Sequence, residues 1–365
     1  MPTLLNLFVL PTLVSLIISA TATFLVIKNA KILKVLDDPQ KRAHPATLHT
    51  KVVPRGGGLA LFAAILTTSL LFLPTDQRLI GILIGAGIIV LIGFLDDRRD
   101  INPYWRLIGQ FLAAAVVVAS GIGIAFLSNP IGFGVIDLSH PQIQFDLFGT
   151  TRHLWVLSAA FALVWIIGLT NAVSWSSGVD GQLSGFVAIA AAVIAILSFH
   201  YSADITQWPI TVLAAATLGA FLGFLPYHIY PQKIMPGFSG ATLAGFMLAV
   251  LSILTTAKVG TLLLVLAIPV TDAGYIVIRR ILSGKSPVKG DRSHLHHRLL
   301  NAGWSKQKIA FFYWGITAIL GITALRLNAT EKFYTMVGIV LLVGALIIWL
   351  TSRSLFSKLQ DLDNG

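Results

Sequence analysis

The feature that most constrains the fold is a series of eleven long apolar segments. A helix rises about 1.5 Å per residue, so about 20 residues cross the roughly 30 Å hydrocarbon core of a bilayer. Helices are expected because lipid cannot satisfy the backbone groups of an open strand edge. The sequence therefore predicts an all-α integral membrane protein with about eleven transmembrane helices, at residues 4–27, 57–74, 79–95, 107–127, 154–173, 183–199, 207–228, 238–256, 258–279, 308–326 and 334–351.

The composition supports this prediction. Charged residues make up 11% of the chain and hydrophobic residues 56%, with a mean hydropathy of +0.83, whereas a soluble domain has about 25% charged residues. The first apolar segment lacks a basic start and is longer than a signal-peptide core, so we expect it to stay as a membrane anchor. The chain has no cysteine, which excludes disulfides and thiolate metal sites.

The net charge of +11 is explained by orientation in the membrane. If the N-terminus lies outside, the inner loops and the C-terminal tail contain 21 of the 26 Lys and Arg residues. Because basic residues concentrate on the cytoplasmic side, this distribution predicts an N-terminus outside and a C-terminus inside. Nucleic-acid binding is therefore not expected. The predicted inner loops are 28–55, 96–106, 174–182, 229–237 and 280–307.

The chain is expected to form one membrane domain, residues 1–352, followed by a short cytoplasmic tail, residues 353–365. The longest outer loop, residues 128–153, contains GVIDLSHPQIQFDLFG, in which apolar and polar residues alternate. This period of two residues predicts a small β-hairpin on the outer face.

Two adjacent carboxylates, Asp96 and Asp97, end an apolar segment on the inner side, in the sequence GFLDDRRD. The helix macrodipole disfavours negative charge at a C-terminal helix end, so helix stability does not account for them. One interpretation is a solvated pair that is neutralised by a neighbouring arginine, Arg98, Arg99 or Arg106. The other is a pair that binds Mg²⁺ or acts as a base on a phosphate, because magnesium takes one or two carboxylates together with phosphate oxygens.

The first and last inner loops concentrate basic and histidine side chains. In DDPQKRAHPATLHTKVVPRGGG, six side chains can contact phosphate: Lys41, Arg42, His44, His49, Lys51 and Arg55. Some of this charge also satisfies the positive-inside rule. The loop SGKSPVKGDRSHLHHRLL adds Asp291, Arg292, His294, His296 and His297. Zinc is the weaker interpretation there, because at most two of the histidines share a helical face and no cysteine assists. Phosphate contact is the stronger one.

Three further polar residues interrupt apolar sequence near the inner side. Asn171 and Asp180 lie in GLTNAVSWSSGVDGQLSG, for which the alternative interpretation is an ordinary turn before the next helix. Asp272, in AIPVTDAGYIVIRR, lies within an apolar segment. A carboxylate there costs a few kcal/mol, so it is expected to face a polar cavity. An ion pair between Asp272 and Arg279 is the competing account.

Taken in order, these motifs resemble those of the polyprenyl-phosphate N-acetylhexosamine-1-phosphate transferases, which are members of glycosyltransferase family 4. The resemblance runs from about Asp37 to Leu300 and rests on five stretches: DDPQKRAHP…PRGGG, GFLDDRRDINP…RLIGQ, GLTNAV…GVDG, PVTD and GKSPVKGDRSHLHHRLL. Eleven spans and the HLHH sequence are closer to the N-acetylglucosamine-1-phosphate branch than to the muramoyl-pentapeptide branch.

The resemblance implies a reaction at the cytoplasmic face of a bacterial plasma membrane. A sugar 1-phosphate passes from a UDP-N-acetylhexosamine to undecaprenyl phosphate, with UMP as the second product, as the first membrane step of a cell-wall or surface glycan. The implied cofactor is Mg²⁺, with Mn²⁺ as an alternative, and a homodimer is compatible with the resemblance.

The resemblance also implies roles for individual residues. The catalytic residues are Asp96 and Asp97. The substrate-binding residues are Lys41, Arg42, His44, Arg55, Asn171, Asp180, Asp291, Arg292, His294, His296 and His297. The candidate metal ligands are Asp96, Asp97, Asp180 and Asp272.

The sequence departs from the family pattern at three positions. Ser174 and Ser177 replace an Asn and an Asp of the pattern N-A-x-N-x-x-D-G-x-D-G, and Phe238, in IMPGFSGATLAGF, stands where the family has a metal-binding Asp. Two hypotheses therefore stay open: an active, divergent transferase, or a non-catalytic homologue that binds polyprenyl phosphate or sugar nucleotide. A secondary transporter is disfavoured, because carriers place polar groups near the bilayer midplane.

Overall fold

The structure is a computed structural model that describes residues 3–40, 50–132, 134–147, 150–255, 259–286 and 293–363. A π-helical turn, Leu5–Val9, leads into the first α-helix, and a 3₁₀ turn, Ile205–Gln207, leads into the eighth. The α-helices are α1 (Leu10–Lys28), α2 (Ala30–Leu33), α3 (Gly57–Phe72), α4 (Gln77–Arg99), α5 (Pro103–Ala119), α6 (Val156–Trp175), α7 (Gln182–His200), α8 (Trp208–His228), α9 (Gly237–Leu254), α10 (Val259–Val265), α11 (Ala267–Leu282), α12 (Leu295–Asn301), α13 (Lys306–Arg326) and α14 (Ala329–Asp363).

The prediction of a helical membrane protein is confirmed. Within the described ranges, eight helices are long and apolar enough to cross a bilayer, and α10 with α11, bent by 86°, makes a ninth if the pair is one span. The apolar helices α3 and α5 are shorter, at 16 and 17 residues. Together these helices coincide with the eleven apolar segments, whereas the bend between α10 and α11 has no counterpart in the sequence-based prediction. The number that cross a membrane and the orientation of the termini stay predictions.

Three two-stranded antiparallel sheets complete the described structure. Their strands are β1 (Leu36–Asp37), β2 (Val53–Pro54), β3 (Phe126–Ser128), β4 (Val135–Asp137), β5 (Gln142–Leu147) and β6 (Thr150–Trp155). The hairpin expected within residues 128–153 is confirmed as the pair β5–β6, in which Gln142 lies opposite Trp155. The pair β1–β2 places Asp37 opposite Val53 at the other end of the bundle.

Helices α7, α8 and α9 form the centre of the bundle. Each is apolar on all sides, as expected for a helix that other helices surround, and Phe186, Phe221 and Phe246 are fully buried. Helix α9 packs against α4 and α6, and α8 packs against α1 and α7. Helices α1 and α14 instead expose large apolar side chains, among them Ile17 and Leu342, so they lie at the lipid-facing surface.

Helices α1 and α8 approach closely because α8 presents small residues to α1. Gly219 lies against the backbone carbonyl of Thr12, and Gly223 lies against that of Leu16. Close approach through small residues is a common way to join membrane helices. Two hydrogen bonds of 2.6 Å join the same surfaces: Ser15 Oγ donates to the carbonyl of Ala216, and Ser19 Oγ to that of Ala220.

Contacts gather several helix ends at one end of the bundle. The C-terminal ends of α4, α6 and α8 meet the N-terminal ends of α7, α9 and α13 there. This end contains the described parts of the predicted inner loops, and its location on the cytoplasmic side stays a prediction.

Replacing Gly219 with Ala tests the contact between α1 and α8. A methyl group at this position overlaps the carbonyl of Thr12, so we expect a loss of about 1–3 kcal/mol in the free energy of unfolding. The matched control is Gly338→Ala on α14, where an added methyl group meets no atom within 4 Å. We expect this variant to be more stable by about 0.5–1 kcal/mol, because glycine loses more backbone entropy than alanine in a helix. Thermal unfolding in detergent measures both variants. Equal or higher stability of Gly219→Ala contradicts the packing described here.

Candidate active site

Four carboxylates surround the guanidinium of Arg55, which precedes α3. The pairing of β1 with β2 brings Asp37 beside Arg55, and the two groups lie 3.9 Å apart. Nη2 of Arg55 lies 3.6 Å from Asp97 Oδ1 and 3.9 Å from Asp96 Oδ2, and Nη1 lies 3.2 Å from Asp100 Oδ1. Burial disfavours the charge of Arg55, but the attraction of Asp97, Asp100 and Asp37 outweighs it and raises the pKa of the guanidinium.

Asp97 binds the N-terminal end of α9. Its Oδ1 accepts a hydrogen bond of 2.7 Å from the backbone N–H of Phe238, and its Oδ2 accepts from the N–H (3.2 Å) and Oγ (2.6 Å) of Ser239. The first N–H groups of a helix have no partner within the helix, and the helix dipole favours negative charge there. Asp97 therefore joins the C-terminal end of α4 to the start of α9.

Arg106, in the first turn of α5, lies between Asp96 and Phe238. Its Nε is 3.4 Å from Asp96 Oδ1, and the central carbon of its guanidinium is 4.8 Å from the centroid of the Phe238 ring. Asp96 is almost fully buried, whereas 27% of the Arg106 side chain is exposed. The side chain of Phe238, at the position where the resemblance implies a metal-binding Asp, thus contacts a cation that belongs to the protein.

Asp180 joins the loop before α7 to two other elements. Its Oδ2 accepts a hydrogen bond of 3.2 Å from the backbone N–H of Gln232, and its Oδ1 lies 3.1 Å from the ammonium of Lys306 at the start of α13. Ser177, at one of the positions that depart from the family pattern, donates to the carbonyl of Ser174 (2.8 Å) and so closes the end of α6.

The histidine segment is fastened to α11 by Asp272, which is fully buried. Oδ2 of Asp272 lies 2.9 Å from Nδ1 of His294, and its Oδ1 accepts a hydrogen bond of 2.9 Å from the backbone N–H of Leu295. The rings of His294 and His296 stack with their centroids 5.7 Å apart and an angle of 3° between their planes. The ring centroid of His297 lies 4.3 Å from that of His296. Because Nδ1 of His294 faces Asp272, its Nε2 is the nitrogen left for a ligand.

These groups form one continuous set of contacts. The ring of His296 lies against Gly178, where no side chain would fit, and Asp180 follows two residues later. The loop that begins after α8 connects Asp180, through Gln232, to Met235, whose N–H donates to the carbonyl of Pro54 (2.8 Å) beside Arg55. The paired aspartates and the histidines are thus linked by a series of contacts that passes through Asp180, Gln232 and Met235.

An apolar groove of about 490 Å³ reaches these groups from the side of the bundle. Residues of α5, α6, α10 and α11 line it, among them Leu107, Trp165, Trp175, Leu263 and Val277. Asn171 is its polar member, and its Nδ2 donates to Gln110 Oε1 (2.6 Å) and to the carbonyl of Ile167 (2.8 Å). The ring of Trp175 lies 6.1 Å from that of His294, so the groove ends at the histidine segment.

The donor set does not fit a preformed magnesium site. Both oxygens of Asp97, Asp180 and Asp272 already accept from protein donors, and Asp96 lies between two guanidinium groups. Among the residues that the structure describes, no three His, Asp or Glu side chains are grouped to hold a metal ion. The Mg²⁺ or Mn²⁺ implied by the resemblance stays a prediction. Asp97, Asp180 and Asp272 serve here as acceptors for protein donors, and Asp96 lies beside the guanidinium groups of Arg55 and Arg106.

Several sequence-based candidates cannot be placed. Lys41, Arg42, His44, His49, Asp291 and Arg292 lie outside the described residues. Conversely, the sequence indicates no site role for four residues that contact the site: Arg106, Ser239, Lys306 and Trp175. The sequence indicates Arg106 only as one of three arginines that could neutralise the aspartates, and no spacing signal distinguishes it from Arg98 or Arg99.

His296 leads to a prediction on the pH dependence of stability. Burial, together with repulsion from His297 and His294, holds the pKa of His296 well below its usual value of 6.5. Below pH 6.5 the unfolded chain therefore binds a proton that the folded chain does not. The stabilisation is complete above about pH 6.5 and is lost as the pH falls, by up to about 1.4 kcal/mol per pH unit.

The measurement is the thermal unfolding midpoint in detergent between about pH 8 and about pH 5. We expect His296→Gln to flatten the acid side of the profile, whereas His200→Gln, at an exposed position on the opposite end of α7, keeps the slope of the unsubstituted protein. Identical slopes for the protein with and without His296 contradict the prediction.

Comparison with known proteins identifies the family of this chain. The model of Glycosyl transferase family 4 matches residues 79–256. A probable undecaprenyl-phosphate N-acetylglucosaminyl 1-phosphate transferase of Bacillus subtilis is 29% identical over 328 residues, which are 87% of this chain and 84% of that protein. The decaprenyl-phosphate N-acetylglucosaminephosphotransferase of Mycolicibacterium smegmatis is 30% identical, over 74% of this chain and 71% of its own length. A phospho-N-acetylmuramoyl-pentapeptide-transferase of Bacillus subtilis is also 30% identical, over 74% and 82%. The chain belongs to glycosyl transferase family 4.

Proposed function

We propose that the protein transfers N-acetylglucosamine 1-phosphate from UDP-N-acetylglucosamine to undecaprenyl phosphate and releases UMP. The observation that carries the proposal is the contact between the apolar groove and the polar surface, made where Trp175 lies beside His294. The names of relatives in three bacterial species, which include undecaprenyl- and decaprenyl-phosphate transferases, support the choice of acceptor and sugar.

A polyprenyl phosphate has an apolar chain, which prefers hydrocarbon, and a charged phosphate, which prefers water or polar groups. The prenyl chain belongs in hydrocarbon, and the groove between membrane-spanning helices offers it an apolar wall. The phosphate needs hydrogen-bond donors and cations, which the neighbouring histidines and arginines provide. The UDP-sugar is soluble and arrives from water. Because the loops at this end of the bundle hold most of the basic residues, we assign the site to the cytoplasmic face of a bacterial plasma membrane.

In the proposed reaction, an oxygen of the acceptor phosphate attacks the β-phosphorus of the UDP-sugar. The bond from that phosphorus to the bridging oxygen breaks, UMP leaves with the electron pair, and the lipid keeps the sugar on a diphosphate. Two anions must meet, so most of the catalysis is positioning and charge neutralisation. Arg55 and Arg106 supply positive charge beside Asp96, the carboxylate that orients the acceptor or takes its proton. His294, positioned by Asp272, donates from Nε2 to the diphosphate.

The non-catalytic alternative rests on Phe238 and Ser177. These residues remove two carboxylates of the family pattern, and Ser177 is engaged in closing α6. In that case the same surface binds polyprenyl phosphate or sugar nucleotide without turnover. The pair of substitutions Phe238→Asp and Ser177→Asp separates the hypotheses. An inert parent that gains activity from them supports the non-catalytic alternative, and turnover by the unsubstituted protein contradicts it.

The proposal predicts release of UMP from UDP-N-acetylglucosamine when the protein in nanodiscs receives undecaprenyl phosphate. We expect His294→Ala to lower kcat by about a hundredfold or more, since it removes a donor aimed at developing charge. His200→Ala, at the opposite end of the bundle, serves as the control and keeps the parental rate. The experiment runs in the presence of Mg²⁺ and in excess EDTA.

Two results contradict the proposal. One is the absence of UMP and of lipid-linked sugar under every condition, with a panel of UDP-sugars, while undecaprenyl phosphate still binds. That result supports the non-catalytic alternative. The other is equal activity of His294→Ala and His200→Ala, which removes the histidine segment from the site.

A further inference from the structure

Phe238, in the first turn of α9, presents its aromatic ring to Arg106. An aromatic ring cannot ligate a metal ion, yet the backbone N–H of Phe238 still binds Asp97 and its ring faces the same surface. The face of an aromatic ring attracts cations, most often the guanidinium of arginine. Arg106 lies there, 4.8 Å from the ring centroid.

We propose that Arg106 takes the place of the divalent metal ion in binding the phosphate of the ligand, so that phosphate binding by this protein does not require a metal. The ligand class is a phosphate monoester or a diphosphate. The inference rests on the proposed function for the identity of that ligand, and it concerns a residue to which neither the sequence motifs nor the comparisons give a role.

The geometry leaves Arg106 available to a ligand. Its Nε faces Asp96, and the guanidinium has four more N–H donors on its two terminal nitrogens. In the described part of the chain, no side chain or carbonyl accepts a hydrogen bond from those two nitrogens. The side chain is 27% exposed. A planar fork of this kind matches two phosphate oxygens at once.

Arginine side chains lie beside every carboxylate of the cluster. Asp97 accepts three hydrogen bonds from the start of α9, and the side chain of Asp100 is 49% exposed to solvent. Asp37 and Asp96 are buried; Asp37 lies beside Arg55, and Asp96 lies beside both Arg55 and Arg106. A phosphate that binds the terminal nitrogens of Arg106 therefore contacts a cation that Asp96 holds in place through Nε.

The experiment uses the full chain in nanodiscs and measures two quantities separately. Binding of undecaprenyl phosphate is followed by titration calorimetry, without UDP-sugar, in Mg²⁺ and in excess EDTA. Transfer from UDP-N-acetylglucosamine is measured under the same two conditions. We expect the affinity for undecaprenyl phosphate to be the same, within about twofold, with and without the metal.

Substitutions assign the effect to Arg106. We expect Arg106→Gln to weaken binding in EDTA by about tenfold or more, the effect of losing hydrogen bonds from a charged group. Arg106→Lys keeps the charge without the fork and recovers part of the affinity. Arg326→Gln, an exposed arginine at the opposite end of α13, is the control and binds as the parent does. Phe238→Asp removes the ring and adds a carboxylate, so it makes binding dependent on Mg²⁺.

The outcomes separate this inference from the proposed function. Loss of binding of undecaprenyl phosphate in EDTA, with recovery in Mg²⁺, overturns the inference even when transfer is active. Binding that is independent of metal and sensitive to Arg106, without any transfer, supports the inference and overturns the proposed function. Absence of binding under both conditions overturns the inference, and so does unchanged affinity of Arg106→Gln.

Discussion

The contact on which the site depends is the one between Asp97 and the first turn of α9. It joins two helix ends through residues 141 and 142 positions apart in sequence, and both carboxylate oxygens take part. The free N–H groups at a helix start and the dipole of the helix both favour an anion. A carboxylate that is unfavourable at the end of its own helix is therefore stabilised by the beginning of another. This accounts for the acidic pair at the end of a long apolar segment, which no property of α4 alone explains.

The position of Arg55 follows from that contact. The short β1–β2 ladder and the hydrogen bond from Met235 to Pro54 hold the segment before α3 against the start of α9. Arg55 is thereby placed among carboxylates from the loop after α2 and from the end of α4. These carboxylates compensate the charge of Arg55, and Arg55 compensates theirs. Removal of Arg55 would therefore leave buried carboxylates without this cation.

Much of the fold could be predicted because apolar length is a local property of the sequence. The apolar segments coincide with helices, and the alternating pattern of the outer loop coincides with β5–β6. The bend between α10 and α11 could not be predicted, since the apolar segment 258–279 runs through it and has no polar residue at the break, Leu266. In the site, the order of the motifs predicts that Asp97, Asp180 and the histidines converge on one ligand, and this stays a prediction. The partners of these groups depend on how helix ends align in space, so no spacing rule indicates Lys306 for Asp180 or His294 for Asp272.

On the proposal made above, the pairing of Phe238 with Arg106 changes the electrostatics of the whole site. A carboxylate at position 238 would stand next to Asp97 and Asp96, and three such charges in a buried place require a multivalent cation. A phenylalanine removes one negative charge and presents a ring face instead. The charge that remains can be balanced by arginines, and the ring stabilises one of them by about 0.5–2 kcal/mol. Because Arg106 is tethered, its position is determined by folding and not by the concentration of a metal in solution. The cost is adaptability, since a guanidinium offers a fixed planar set of donors where a metal ion can exchange ligands as the reacting phosphates move.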